Sequence, residues 1–455
     1  MNARLLFSPL LLAVMATQDA PPPAPAPGAA RAAGTVASSA AIADLLVAGR
    51  GVSPALCALA ADGVSSWGDG GSAPAVPLSA EVRARVRALH HSRATAEEAR
   101  VLITALGATD ACERHLAAVL LGRTDDDAAL AAQVGKRLAA EGAPERAAVL
   151  LALGLMDGRG QAGVIERALR DPAADVRANA AWALGRLEAR SSAPAVEGVL
   201  NDREPLVRSA AAAALGHMES RKSAPALGRR LADDDDADVR RVAAWALGQL
   251  EDRAAAGPLG AALKGDRAPA VREMAAWGLA QIEARDAVDK LSMALRGDED
   301  AGVRETAAWA LGELEARKAE PALVEALNDP VRRVRATAAW ALGSLELEQA
   351  PPALVKAMQD DDDEVRLRAA WAISQIGDAA AMPAVAKALR AERSADVRKA
   401  QIRALMESGQ VPDDALKGLA ESDDADMRRL AVQAAAGRMS PWPWPWPEPR
   451  PRPFP

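Results

Sequence analysis

The sequence predicts an all-α protein, a right-handed α-solenoid built from stacked helix pairs. The first observation behind this prediction is a Val-Arg dipeptide that recurs at steps of 31 or 32 residues, as repeat architectures do. The second is composition: half of the 455 residues are hydrophobic, but only 3% are aromatic. Closely packed helices with a core of small residues have this composition, whereas an ordinary globular core of this size uses more aromatic residues.

The repeats occupy about residues 112–438. The Val-Arg pairs are Val176-Arg177, Val207-Arg208, Val239-Arg240, Val271-Arg272, Val303-Arg304, Val334-Arg335, Val365-Arg366 and Val397-Arg398. Met427-Arg428 continues the series, and Arg146 and Arg114 extend it upstream with weaker matches. Because one repeat cannot bury its apolar face alone, neighbouring repeats must stack.

Each repeat contains two helices. The second helix follows an acidic turn, such as residues 234–238, and we expect it to run through Val239 to about Glu251. An Asp before the Val-Arg pair suits an N-cap at the positive end of the helix dipole. The first helix of the next repeat often begins near a proline such as Pro321, because the first helical turn has no use for the missing N–H.

Helix geometry assigns the core face of the second helix. At about 100° per residue, one face collects Val176, Ala180, Ala183, Leu184 and Leu187. A glycine recurs beside this face, at Gly185, Gly216, Gly248, Gly312 and Gly343. Since glycine within a helix costs about 1 kcal/mol relative to alanine, its repetition indicates that the neighbouring helix approaches closely.

The repeat motif resembles a known family. The pattern Asp-x-x-x-x-Val-Arg-x-x-Ala-Ala-Trp-Ala-Leu-Gly-x-Leu-Glu, clearest at residues 307–312, is similar to the bacterial HEAT-like repeats of the phycobilin-lyase type. The resemblance covers about residues 112–438 and implies an armadillo-like superhelix whose second helices line the concave surface. Members of the family are used mostly as protein-binding scaffolds, and a few are enzymes. The resemblance therefore implies a protein-binding scaffold but no specific activity.

A row of tryptophans is the first candidate binding feature. Counting each repeat's Val as position 0, position +6 holds Trp182, Trp245, Trp277, Trp309, Trp340 and Trp371, with Ala213 in one repeat. Positions −1, +3 and +10 belong to the same stripe and supply Asn179, Met274, Gln281, Thr306 and Arg368. The stripe lies away from the predicted core, so we expect the indole rings on the solvent-facing, concave side. They either stiffen the array by packing or form an aromatic groove for an extended, Pro-rich peptide or a glycan.

Composition excludes several function classes. A net charge of −7 and a pI near 5.4 disfavour an extended nucleic-acid surface. Four His and two Cys disfavour a zinc, haem or iron–sulfur site. No phosphate loop, nucleophile elbow or zinc-protease motif is present. We therefore expect neither an enzyme nor a bound cofactor or metal.

Two charged patterns have a structural interpretation. The acidic runs at residues 125–127, 233–236 and 360–363 lack the glycine and distal glutamate of a calcium loop. We expect their carboxylates to cap helices and to pair with the Arg of the Val-Arg motif, which then forms a ladder between repeats and not a phosphate site.

The N-terminal quarter of the chain is less regular. Residues 1–16 are typical of an export signal, with Arg4 before a short apolar run, and residues 17–40 form a Pro/Ala-rich disordered linker. Residues 41–111 form an irregular helical cap. Cys57 and Cys112 are either a disulfide, as an oxidising compartment permits, or two buried thiols. No later stretch is apolar enough to cross a membrane.

The C-terminal segment, residues 439–455, alternates proline with other residues and carries Trp442, Trp444 and Trp446. Each residue before a proline is pushed out of the helical region, so the segment is either disordered or an extended polyproline helix. It is either a free end or a ligand, bound by another protein or by the tryptophan row of its own chain.

These patterns together predict a periplasmic or secreted scaffold of a bacterium that binds a protein or peptide on its concave face, with no stable membrane insertion. The alternatives are a lyase that acts on a bilin-like chromophore, or a purely structural spacer.

The signal interpretation predicts that the mature protein begins near residue 17, because a signal peptidase removes such a segment after export. Mass spectrometry of the N-terminal peptide from the native host measures this directly. A mature N-terminus at Met1 would show that the segment is not a cleaved signal.

Overall fold

The computed structural model describes residues 96–122, 128–156 and 158–409, together with isolated positions between 411 and 432. The predicted signal segment, linker, most of the N-terminal cap and the Pro/Trp segment therefore lie outside the described residues. Within the described ranges every regular element is a helix, as the sequence predicts.

Twenty α-helices in these ranges form ten pairs, α1 with α2 through α19 with α20. In chain order they are α1 (Ala96–Ala105), α2 (Ala111–Leu121), α3 (Ala128–Lys136), α4 (Ala143–Leu155), α5 (Ala162–Ala168), α6 (Ala174–Arg186), α7 (Ala193–Gly198), α8 (Pro205–His217), α9 (Ala224–Asp233), α10 (Ala237–Gln249), α11 (Ala256–Gly265), α12 (Pro269–Gln281), α13 (Val288–Gly297), α14 (Ala301–Glu313), α15 (Glu320–Ala326), α16 (Arg332–Ser344), α17 (Pro352–Ala357), α18 (Asp363–Ile376), α19 (Met382–Ala391) and α20 (Ala395–Glu407). The odd-numbered helices are the first helices of the repeats and the even-numbered helices are the second. Each even-numbered helix packs on the even-numbered helices before and after it, so the repeats stack into a solenoid.

The second helices end two residues earlier than the sequence suggests. Helix α10 stops at Gln249, and Glu251 lies beyond it in the left-handed region with φ 47°. The same conformation recurs at Glu188, Glu219, Glu283, Glu315 and Glu346, and glycine takes it at Gly377 and Gly409. A left-handed residue is the usual way to end a helix, and glycine adopts it at the least cost.

The N-caps also differ from the expectation. The Asp directly before the Val, such as Asp238, lies in the first helical turn, and the capping carboxylate is two residues earlier. The side chain of Asp236 accepts hydrogen bonds from the backbone N–H groups of Asp238 and Val239 at 2.9 and 3.1 Å. Asp300 and Asp362 cap α14 and α18 in the same way.

The core follows the predicted face. Val176, Ala180, Ala183 and Leu184 are completely buried, and Leu187 is nearly so. The equivalent residues of the following repeats join one continuous apolar cluster that runs from α1 through α20. Each repeat therefore buries its apolar surface only against its neighbours, as a stacked array requires.

A ladder of Arg–carboxylate pairs joins successive repeats. The Nε and Nη2 atoms of Arg240 donate to the two carboxylate oxygens of Asp266 in the next repeat, at 2.7 and 3.0 Å. The Nη1 atom donates to the backbone carbonyl of Asp234, at 2.8 Å, and the carboxylate of Asp234 in turn pairs with Arg208 of the preceding repeat. The rungs are Arg146–Asp171, Arg177–Asp202, Arg208–Asp234, Arg240–Asp266, Arg272–Asp298, Arg304–Asp329, Arg335–Asp360 and Arg366–Glu392.

The ladder confirms the predicted structural role of the recurring Arg and of the acidic runs at 233–236 and 360–363. Burial of the Asp266 carboxylate opposes its ionisation, but the hydrogen bonds from Arg240 and from the backbone of Ala268 outweigh it, so the pKa of Asp266 is lowered. A lowered folded-state pKa adds stability above the ordinary value of 3.8, and that stability is lost as the pH falls through the folded-state value. The third run, 125–127, lies outside the described residues.

We expect the variant Arg240→Ala to lower the free energy of unfolding by about 3 kcal/mol or more, because it leaves the buried carboxylate of Asp266 without its counter-charge. The variant should therefore unfold at a clearly lower urea concentration. Circular dichroism at 222 nm during urea titration measures the midpoint. The control is Arg253→Ala, which removes one partner of an exposed pair with Glu283 and should shift stability by no more than about 0.5 kcal/mol. Equal shifts in the two variants would contradict a structural role for the ladder.

Candidate functional site

The even-numbered helices form the inner, concave face of the solenoid. They contact one another far more extensively than the odd-numbered helices do, and Gly and Ala at their contacts let the backbones approach. A Cβ placed on Gly248 of α10 would lie 3.0 Å from the Cα of Gly278 in α12. Since the stack is tighter on the even-numbered side, the array curves towards it.

The expected exposure of the tryptophans is wrong. Trp245, Trp277, Trp309 and Trp340 are buried, with between 3% and 7% of their surface exposed. Trp182 and Trp371, the first and last rings of the row, are half-buried. The six side chains are on the predicted helices and in the predicted stripe. Their rings pack into a closed surface, which we call the tryptophan floor, and do not form an open aromatic groove.

The recurring glycine explains why the rings are buried. Five of the six indoles lie against the glycine at position +9 of the preceding second helix, so that a Cβ on Gly216 would meet Cζ3 of Trp245 at 2.8 Å; for Trp309 that position is Ala280. The same contact joins Gly248 to Trp277, Gly312 to Trp340 and Gly343 to Trp371, at 2.6 to 2.8 Å. Trp340 and Trp371 also stack on each other, with ring centroids 6.4 Å apart. Glycine and tryptophan therefore form one packing unit between repeats, and the packing interpretation of the row is the one that the contacts favour.

The remaining residues of the predicted stripe divide into buried and open positions. Asn179, Met274, Thr306 and Arg368, all at position +3, are at least nine-tenths buried, so they do not lie on an open surface as expected. Gln281, at position +10, is exposed as expected. Position +3 faces the preceding second helix, as the contacts of Asn179 with Ala147 and of Thr306 with Glu273 show, and the sequence of a single helix does not reveal this.

Two open polar rows border the tryptophan floor. The first row, position −1, is exposed or half-buried in seven consecutive repeats and holds Asp175, Leu206, Asp238, Ala270, Gly302, Arg333 and Glu364. The second row, position +10, holds Arg186, His217, Gln249, Gln281, Glu313, Ser344 and Gln375.

These rows change from repeat to repeat while the structural positions do not. Positions +4 and +5 are alanine in all seven repeats, and position +1 is always the ladder arginine. A position fixed by the fold repeats its residue because every repeat imposes the same constraint. The open rows are free of that constraint, so their variation gives each repeat a different surface.

A pair of carboxylates at position +2 lies beside the middle of the first row. Glu273 and Glu305 are half-buried at position +2 of α12 and α14. Arg333 pairs with Glu305 at 2.8 Å, whereas Glu273 makes no ion pair within the described part of the chain. The hydroxyl of Thr306 donates a long hydrogen bond of 3.5 Å to Glu273.

The electrostatics of Glu273 set it apart from the ladder carboxylates. Burial, and then the nearby charge of Asp300, raise the pKa of Glu273 above its usual value. The charge of Arg333 acts in the opposite direction but more weakly, since Arg333 forms its ion pair with Glu305. A desolvated carboxylate that makes no ion pair is expected to favour a positively charged group from outside the chain. Position +2 is outside the stripe, so the sequence did not single out Glu273 and Glu305, although the change from alanine to charged residues at that position is visible in the repeat alignment.

Several predicted features are not tested by the described residues. Cys57 and the tryptophans at 442, 444 and 446 lie outside them, and Cys112 belongs to α2 but its side chain is not described. Within the described ranges no group of His, Cys, Asp and Glu could hold a metal ion. No helix in these ranges is both long and apolar enough to span a bilayer.

Comparison with known families shows which repeat family the chain matches. The family described as HEAT repeats matches residues 162–248, 231–312, 288–372 and 351–436, which together cover more than half of the chain. The chain belongs to the HEAT-repeat family. The narrower phycobilin-lyase type and the bacterial origin stay predictions. A search of curated protein sequences gives no significant match.

Solved structures share the solenoid fold at low identity. Yeast importin-beta (Kap95p) is 14% identical, with a TM-score of 0.54 over 87% of this chain and 64% of that one. Kap95p in a structure with RanGDP is 16% identical, with a TM-score of 0.53 over 79% of this chain and 56% of that one. Kap95 in a complex with Nup1 is 16% identical, with a TM-score of 0.51 over 79% and 57%. The HEAT-repeat chain spans less than two thirds of these proteins, and the likeness concerns the fold alone.

The glycine–tryptophan contact predicts that Gly343→Ala is destabilising, by about 1 to 3 kcal/mol. The added methyl group would meet the backbone Cα of Ala372 at 2.7 Å and Cζ3 of Trp371 at 2.6 Å. The control Gly257→Ala, also within a helix but with nothing within 4 Å of the new methyl, should be neutral or stabilising by up to about 1 kcal/mol. Thermal unfolding of both variants makes the comparison, and a stable Gly343→Ala protein would show that the helices are not in close contact.

Proposed function

We propose that this HEAT-repeat protein is a non-catalytic scaffold that holds an extended segment of a protein partner along its concave face. The observation that carries the proposal is the contrast between fixed and varying positions. Core, glycine and ladder positions repeat along the array, while the two open rows beside the tryptophan floor vary, so that no two of the seven repeats have the same pair of residues at −1 and +10. A solenoid that served only as a spacer would not need this variation along its inner face.

The dimensions of the face suit an extended partner. Packed helices are about 8–10 Å apart, so seven consecutive repeats present a strip roughly 60 Å long. The floor between the rows is closed by tryptophan rings, so it offers a shallow apolar surface and no deep pocket there. A partner lying along it would contact side chains of both rows, repeat by repeat.

Charge indicates the chemistry of the partner. The cations near the first row are already paired, Arg333 with Glu305 and Arg368 with Glu364. Glu273 has no such partner in the described ranges. A segment with positive side chains would therefore gain a desolvated ion pair at Glu273, and hydrogen bonds to charged groups of this kind contribute about 1.5–3 kcal/mol.

The solved relatives are consistent with a protein partner, because Kap95p has been seen with RanGDP and with Nup1. We extend only the general use of the fold to this chain. We further propose, from the sequence alone, that the protein acts after export, in the periplasm or outside the cell, and that the Pro/Trp segment at 439–455 is a ligand of this or another chain.

The proposal is tested by site-specific photo-crosslinking in the native host. A photoreactive amino acid at position 281, in the open row of α12, should trap a protein partner, because Gln281 faces the inner channel. The matched control replaces Met293 of α13, which is 56% exposed on an odd-numbered helix away from that channel. Mass spectrometry identifies the trapped proteins. Identical sets from the two positions, or none from position 281, would contradict binding on the concave face.

We expect Glu273→Gln to weaken the binding of the trapped partner about tenfold, since it removes the unpaired carboxylate. Binding of the unsubstituted protein should also weaken as the pH falls through the raised pKa of Glu273, because protonation removes the charge. The control Asp289→Asn removes a carboxylate that pairs with Lys318 on the odd-numbered side and should leave affinity unchanged. Fluorescence anisotropy of a labelled partner segment measures all three, and equal affinities for the two variants would exclude Glu273 from the contact.

A further inference from the structure

The described part of the concave face has an opening over α4. A cavity of about 170 Å³ lies there between α2 and α6, lined among others by His115, Ala147, Leu151, Asp175 and Asn179. It lies at the N-terminal end of the array, four repeats before Glu273. The sequence singled out Asn179 but not the neighbours that make the opening.

The opening exists because α4 departs from the repeat pattern. Position +6 of this helix is Leu151, where most later repeats have tryptophan, and positions +2 and +3 are Ala147 and Ala148. The tryptophan floor therefore starts only at Trp182 of α6. Small side chains on α4 leave a depression whose base is apolar.

Asn179 directs an unsatisfied acceptor into this depression. The side chain is 95% buried, and its Nδ2 donates to the backbone carbonyl of Ala147 at 3.4 Å. This contact fixes the orientation of the amide, because the opposite orientation would place two oxygens against each other. The Oδ1 atom has no hydrogen-bond partner among the described residues. A buried acceptor left without a donor costs about 1–3 kcal/mol, so a ligand that donates to it would be favoured.

The acceptor groups around the opening, and not its net charge, favour a cation as that donor, since the lining holds the positive Arg114 as well as the negative Asp175. Asp175 lies one helical turn before Asn179 on α6, is exposed, and makes no ion pair in the described ranges. Arg114 also lines the cavity, but its Nη1 atom already donates to the carbonyls of Ala108 and Thr109, at 2.7 and 2.9 Å. Those two carbonyls hold the guanidinium end against the chain between α1 and α2. The two oxygens that remain available, Oδ1 of Asn179 and the carboxylate of Asp175, are both acceptors.

We propose that this cavity is a subsite for a primary ammonium group on an aliphatic chain, supplied by a lysine of the bound partner. The apolar base contacts the methylene groups, and the ammonium donates to Oδ1 of Asn179 and to the carboxylate of Asp175. The volume fits one side chain and is smaller than that of a usual small-molecule pocket, about 300–1,000 Å³. The assignment rests on the proposed scaffold function and adds to it the residue type read at the N-terminal end of the face.

The test uses the full chain with methyl-labelled Leu and Ala residues and follows the methyl signals of Leu151 and Ala147 by NMR. The probes are Nα-acetyl-lysine methylamide, its norleucine and glutamate counterparts, and free n-butylamine. We expect a saturable shift with the lysine probe, at least tenfold weaker binding of the norleucine probe, and no saturable shift with the glutamate probe.

Two variants make the test specific. Asn179→Ala should weaken binding of the lysine probe at least tenfold, and Asp175→Asn, an exposed substitution that leaves the packing intact, should weaken it three- to tenfold. The control Asp238→Asn changes the equivalent residue of α10, where no such cavity is described, and should have no effect. If Asn179→Ala does not fold, the Asp175→Asn and Asp238→Asn pair still decides the result.

Three results would overturn the assignment. Equal binding of the norleucine probe would reduce the cavity to an apolar depression, and preferential binding of the glutamate probe would assign it to an anion at Arg114. Binding of n-butylamine as tight as that of the lysine probe would assign the site to a free amine. Because crosslinking at position 281 depends on other repeats, a failed lysine test beside a successful crosslink would reject the subsite and leave the scaffold function in place.

Discussion

The close approach of the second helices is the constraint on which the rest of this structure depends. Alanine at positions +4 and +5 and glycine at position +9 bring neighbouring backbones so near that a single added Cβ would lie within 3 Å of the next helix at several contacts. This approach makes the even-numbered side the shorter side of the array and gives it its curvature. It also buries the tryptophans, and five of the six indoles have a glycine in the preceding helix against which to lie. Dispersion contacts of this density are individually small but add up along a continuous core.

The Arg–carboxylate ladder complements that packing. Apolar contacts between small residues are weakly directional, so one helix could slide on the next at little cost. A bidentate guanidinium–carboxylate pair has a fixed geometry, and each rung also ties its Arg to the carbonyl of the turn in its own repeat. Since buried ion pairs are often close to neutral in net stability, we infer that the ladder chiefly sets the register between repeats, while burial of the core supplies the stabilising free energy.

These two features leave little of the inner face available for recognition, which makes the remaining positions informative. Of the stripe that the sequence suggested, position +6 is closed by packing and position +3 is buried against the preceding second helix. What remains is the pair of rows at −1 and +10, the half-buried Glu273, and the depression where α4 lacks a tryptophan. Each is a place where the repeat pattern varies or fails. In a repeat protein the departures from the consensus carry the specificity, because the consensus itself is required by the fold.

The sequence by itself determined the helix pairs, the 31–32-residue step, the core face from Val176 to Leu187, the close contact at the recurring glycine and the pairing of the recurring Arg. Those features depend on helical periodicity and on the chemistry of single residues, which a repeat shows many times over. Only the tertiary structure decided that the tryptophans are buried, that Asn179 is nine-tenths covered and that Glu273 makes no ion pair in the described ranges. The physical reason is that a helical wheel describes one helix against one core, whereas the exposure of Trp277 depends on Gly248, a residue of another helix, and on how near that helix comes.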